Sequence, residues 1–84
     1  MTTIAGRLVR GVSVEARGLR DELKAAGGRQ RVSALRAGRG ADEKALLVTE
    51  LIESGLAEWV RGGGVALTEL GRSAVLLSDH HRWD

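Results

Sequence analysis

The sequence predicts a mainly α-helical single domain carrying one small β-hairpin, in the order helix, helix, helix, hairpin, helix. Three observations carry that prediction. Apolar residues recur at helical spacing in several segments, and glycines stand where those segments should stop. In "LAEWVRGGGVALT" the helical period is lost, and two short runs rich in Trp, Val and Leu flank Gly62 to Gly64, the pattern of two strands joined by a tight connection. A chain of 84 residues has interior for one small core, and without Cys it has neither disulfides nor thiolate metal sites to supplement apolar packing.

The elements follow in order. Ile4, Leu8 and Val12 recur at helical spacing, but Gly6 and Gly11 each cost a helix about 1 kcal/mol relative to Ala, so residues 1–12 read as an arm or short helix. Ser13 is placed to cap a firmer helix, with Glu15 near the positive end of its dipole. Ala16, Leu19, Leu23 and Ala26 form the buried stripe of that helix, Lys24 sits in its last turn, and Gly27 with Gly28 ends it. A third helix, about Gln30 to Ala37, turns Val32 and Leu35 inward and closes at the turn "AGRGAD". The fourth starts at Ala41 or Asp42 and runs to Ser54, with Ala45, Val48, Leu51 and Ile52 directed inward and Gly55 as terminator. Beyond the hairpin, Thr68 caps a closing helix with Leu70, Ala74 and Leu77 on one face. Residues 13–78 thus form the domain, and 79–84, "DHHRWD", a flexible tail.

Phe, Tyr and Pro are absent, so Leu, Val, Ile and Ala must build the core, and the two aromatics, Trp59 and Trp83, argue against stacking platforms for single-stranded nucleic acid. The net charge of +2 conceals a polarity: residues 1–40 hold nine Arg or Lys against three acids, residues 41–84 four against eight. Two surfaces with different partners, or one surface pairing with its opposite on a second copy, would explain it. Ile4, Leu8 and Val12 offer an apolar stripe for the closing helix of such a copy, and a homodimer is expected. No apolar run approaches the ~18 residues that span a bilayer, and the N-terminus lacks the apolar core of a secretory signal. The expectation is a soluble, cytoplasmic protein with no membrane partner.

The stretch "ELIESGLAEWV" followed by "VALTELGR" resembles the winged helix-turn-helix family, through Leu51, Gly55 and Leu56 and then Leu67, Thr68, Gly71 and Arg72. The resemblance covers about Ser13 to Leu77. It implies a winged helix-turn-helix fold of three helices, a two-stranded wing and a C-terminal helix, and a small bacterial or phage transcriptional regulator that binds double-stranded DNA. In that family the helix before the wing enters the major groove, which would place Arg61 and the glycine tip near a phosphate backbone.

The helix before the hairpin departs from that pattern. At 100° per residue its outer side holds Asp42, Glu43, Leu46, Thr49, Glu50 and Glu53, four carboxylates and no cation, and such a face opposes a polyanion. Two readings remain. In the first, Arg29, Arg31, Arg36 and Arg39 with Arg61 bind nucleic acid. In the second, Asp42, Glu43, Glu50 and Glu53 around Leu46 bind a basic protein surface, as in a phage-encoded inhibitor or an adaptor of a host complex. Lys44, among apolar positions, is expected to lay its stem on the core and its ammonium in water.

Catalytic chemistry finds few candidates. His80 and His81 are sequence neighbours, and a metal site would need Asp84 and further ligands. "GRGADEK" lacks the glycine-lysine-serine pattern of a phosphate loop, and its Asp42 and Glu43 would repel phosphate. The expectation is a non-enzyme with no cofactor and no metal.

Overall fold

The computed structural model describes residues 7–83. The chain runs β1 (Leu8–Arg10), α1 (Val14–Ala25), β2 (Arg29–Arg31), a 3-10 turn (Val32–Ala34), α2 (Ala41–Glu53), β3 (Ala57–Val60), β4 (Gly64–Leu67), α3 (Glu69–Ser73) and β5 (Val75–Leu77). Strands β2, β4 and β3 form an antiparallel sheet in that order, and β1 pairs with β5 in a separate two-stranded parallel sheet. This overturns the expected winged helix-turn-helix architecture. Among the described residues there are three α-helices and five strands in two sheets, and a parallel pair joining the two ends of the chain does not fit a winged-helix wing.

The elements that match expectation do so through their caps. Ser13 Oγ accepts from Ala16 N–H at 3.1 Å and starts α1. Gly27 and Gly28, at φ of 90° and 99°, reverse the chain, and Gly28 N–H reaches back to Leu23 C=O at 2.8 Å. Gly55, at φ 77°, does the same for α2, whose last turn is closed by Leu56 N–H on Leu51 C=O at 2.9 Å. Leu19 and Leu23 of α1 pack with Leu47, Val48 and Leu51 of α2 and with Leu56, Val65 and Leu76 in one buried cluster. Ala26 and Ala45, expected inside, are exposed.

Three segments take a different state. The expected third helix is β2 followed by a 3-10 turn: the paired glycines swing Arg29–Arg31 alongside β4, where it satisfies an edge that would otherwise lack partners. Leu67 N–H on Gly28 C=O at 2.7 Å anchors that crossing. Leu35 still ends buried and Val32 still packs on the core. The closing helix stops after five residues, because the buried Arg20 places Nη1 on Gly71 C=O at 3.1 Å and on Ala74 C=O at 2.6 Å. Val75–Leu77 then continues as a strand with Leu76 inward, instead of Ala74 and Leu77 sharing a helix face. The N-terminal segment is likewise strand over Leu8–Arg10, not helix. Val12 is fully buried in the chain's own core, Leu8 is 57% exposed, and Ile4 lies outside the described residues, so the expected stripe of Ile4, Leu8 and Val12 does not form one surface.

The expected flexible tail is fastened over residues 79–83. Val14 N–H donates to His80 C=O at 2.9 Å, and Arg82 Nη1 donates to Glu50 Oε1 at 3.0 Å. Glu15 accepts Arg82 N–H at 2.8 Å and lies 3.2 Å from His81 Nδ1, while Trp83 packs against the core. The Arg82 N–H above all, with smaller help from the His81 hydrogen bond and charge, holds the Glu15 carboxyl below its ordinary value of 4.5 in spite of some desolvation. A lowered carboxyl contributes stability that is complete above that ordinary value and is lost as pH falls through the lowered one. Acidification below pH 4.5 should therefore release the tail before the core unfolds. In a Trp59→Phe background, Trp83 emission should shift to the red ahead of the loss of far-ultraviolet helix signal; coincident transitions would refute a separate release.

Candidate functional site

Arg29 and Arg31 alternate along β2 and share one face of it. In the antiparallel register Arg29 stands opposite Ala66 and then Glu58, and Arg31 opposite Gly64 and then Val60. Gly64 is buried without a positive φ, so its need is for space: a Cβ there would come within 2.8 Å of Val60 Cγ2 and 3.3 Å of the Gln30 carbonyl oxygen. The result is a trough across the outer face at the hairpin end of the sheet. Arg61, first residue of the β3–β4 loop, closes it beside Gly62 at φ 85°.

The groove bounded by Arg29, Arg31, Arg61, Val60 and Gly64 encloses about 350 Å³ and is open to solvent. None of its three guanidinium groups forms an ion pair among the described residues. Glu58 is the one carboxylate on the same sheet face, two strands away from Arg29. Three uncompensated cations around a shallow trough can bind a chain of anions and offer nothing resembling a nucleophile or general base.

Arg36 and Arg39 do not join them. Both sit on the loop before α2, with Arg36 N–H and Ala37 N–H donating to Glu22 at 2.7 and 3.0 Å and Arg39 N–H donating to Glu43 at 2.7 Å. Their side chains are separate from the groove lining. Gln30 and Gly64, which do belong to the groove, were not among the expected site residues.

The acidic face of α2 is also divided. Asp42, Glu53 and Leu46 are exposed, Leu46 by 44%. Glu43 is turned toward the preceding loop through Arg39 N–H. Glu50 is a structural carboxylate, 13% exposed at its side chain, accepting from Ser13 N–H at 2.7 Å, Ser13 Oγ at 2.9 Å and Arg82. Lys44 is half-buried with its stem against Gly38, since a Cβ on that glycine would stand 3.1 Å from Lys44 Cγ.

His80 and His81 both engage carboxylates of the chain, Asp79 and Glu15, and no group of three or more His, Asp or Glu able to hold a metal occurs among the described residues. No described helix is long and apolar enough to cross a membrane. Comparison with protein-family models, with curated proteins and with solved structures finds no match.

Proposed function

We propose that this chain is a non-enzymatic binding module that grips the phosphate backbone of double-stranded DNA through the groove of Arg29, Arg31 and Arg61, as a small cytoplasmic regulator of transcription would. The observation that carries the reading is the convergence of these three arginines, two from β2 and one from the distant β3–β4 loop, on one open trough with no ion pair among the described residues to neutralise them. Phosphates held this way release condensed counterions, so affinity falls with salt at a slope of about 0.9 per phosphate neutralised. Contacts to phosphate carry no sequence information, so charge and shape, more than base identity, would then set the affinity.

Wild-type protein should shift a generic duplex at low salt, with a log–log salt slope of about −3 if all three arginines engage phosphate. Arg31→Gln with Arg61→Gln should reduce that slope to about −1 and weaken binding at least about tenfold, whereas Arg36→Gln with Arg39→Gln should change little. All four positions are exposed, so the fold should persist in each variant. Failure of the wild-type chain to bind any duplex at low salt would overturn the reading. Capture of a basic protein that depends on Leu46, Asp42 and Glu53 would then favour the acidic face of α2.

A further inference from the structure

We propose that a second cleft, between the end of β1, the first turns of α1 and the exit of β5, is a binding site for a tetrahedral oxyanion, with phosphate as its ligand class. It encloses about 330 Å³ and shares no residue with the groove of Arg29, Arg31 and Arg61. Arg10 ends β1, Arg17 lies on the first turns of α1, and Ser78 and Asp79 follow β5. Gly11, at φ 85°, bends the chain between the two arginines so that both line the same cleft, and the space beside its Cα is open to 4 Å.

Three features of the cleft point to an anion. Neither guanidinium forms an ion pair or a side-chain hydrogen bond among the described residues, although its neighbour Arg20 on the same helix forms several. The Ser78 hydroxyl is shielded from solvent and has no hydrogen-bond partner, a state that is costly unless something else supplies one. The carboxylate in the lining, Asp79, has a side chain 97% exposed, lies 3.4 Å from His80 Nδ1 and forms no ion pair with the exposed Arg10 or the half-buried Arg17.

The number and kind of donors decide the class. A planar carboxylate is satisfied by one guanidinium fork. Two guanidinium forks and a hydroxyl, contributed by three separate segments that line one cleft, offer more donors than a carboxylate can use, which suits the several oxygens of a phosphate. A cation would meet two positive charges, and an apolar ligand would leave all three donors unpaired. The parallel pairing of β1 with β5 is what assembles the site, because it brings Arg10 beside the residues that follow Leu77.

The same cleft would accept a free phosphate or a phosphodiester, and titration distinguishes the two. Inorganic phosphate added at constant ionic strength should perturb the Nε resonances of Arg10 and Arg17 and the amides of Ser78 and Asp79, and should raise the melting temperature above that in chloride. Arg10→Gln with Arg17→Gln should remove both effects. Ser78→Ala should raise the melting temperature of the anion-free protein and shrink its phosphate-dependent rise, a pair of opposite changes that a purely structural serine would not give. Arg29→Gln with Arg31→Gln and Arg61→Gln should leave phosphate binding intact, which separates this site from the DNA groove. Dimethyl phosphate binding as well as inorganic phosphate identifies a backbone phosphodiester, and preference for the inorganic dianion identifies a free phosphate or monoester. A phosphate response unchanged in the Arg10 and Arg17 variant, or no response beyond that to chloride, overturns the proposal.

Discussion

Gly71→Ala should abolish the native fold, whereas Gly18→Ala, the same addition of one methyl group inside a helix, should raise the melting temperature. Gly18 lies exposed in α1 and a Cβ there meets nothing within 4 Å, so the substitution removes only the helix cost of glycine, about 1 kcal/mol. In a domain this size that corresponds to a rise of about 4–8 °C. Gly71 is buried in α3, and its added Cβ would overlap the carbonyl oxygen of Leu56 and stand 2.8 Å from the carbonyl carbon. The obstacle is backbone, so no rotamer change can relieve it. Neither side can retreat: Leu56 C=O accepts Thr68 N–H at 3.0 Å, Gly71 N–H caps onto Thr68 Oγ1 at 3.0 Å, and Gly71 C=O holds Arg20 at 3.1 Å. Overpacking of side chains costs roughly 1–3 kcal/mol. A backbone collision that also breaks the Arg20 and Thr68 contacts should exceed that and consume most of the roughly 5–10 kcal/mol expected of a small domain. Circular dichroism and a melting curve for each variant decide the matter, and a cooperative Gly71→Ala transition within a few degrees of wild type would show that α3 does not pack as described.

Gly71 also shows what the sequence could and could not reveal. The Leu-Thr-x-x-Gly-Arg string correctly marks Thr68 as a cap, since its Oγ1 both accepts Gly71 N–H and donates to Gly55 C=O at 2.7 Å. Local signals of this kind were legible throughout: Ser13, Gly28 and Gly55 act within a few residues of themselves. The spacing of Leu70, Ala74 and Leu77 extended the helix to Leu77, but Arg20, 51 residues before Gly71, stops it by reaching the carbonyls of Gly71 and Ala74. The strands β1, β2 and β5, at three residues each, are too short to impress a period on the sequence, and they exist through their partners. Arg29–Arg31 carries no strand signal of its own until β4 lies beside it.

The same misreading grouped Arg36 and Arg39 with Arg29, Arg31 and Arg61 in one candidate site. On a strand Arg29 and Arg31 face one way and meet Arg61, while Arg36 and Arg39 go to a different loop. Glu50 was hidden for a related reason. Its place on the outer side of a helical wheel marks it as solvated, and only the docking of Ser13 and of the C-terminal Arg82 onto it makes it a structural group. Sequence patterns identify the cations and the caps; the crossings between distant segments decide which of them meet.

Leu51→Ala should cost about 2–5 kcal/mol, and Leu46→Ala, five residues earlier on the same helix, no more than about 0.5 kcal/mol. The two substitutions remove the same atoms and change helix propensity equally, so the difference isolates burial. Leu51 is fully buried, in the cluster that joins α1, α2 and the sheet, and its carbonyl takes the Leu56 N–H that closes α2 into β3. Its truncation would leave a void in the cluster that the helices and the three-stranded sheet share, and the fixed closure after Gly55 restrains the collapse that could fill it. Leu46 is 44% exposed, and its removal opens no cavity. Urea denaturation of both variants should show a lower midpoint for Leu51→Ala at unchanged slope and a near-wild-type midpoint for Leu46→Ala. Equal losses would mean that Leu46 is covered in solution, which would direct attention to a partner on the acidic face of α2; an unchanged midpoint for Leu51→Ala would mean that α2 is rotated from the orientation that places Glu50 on Ser13.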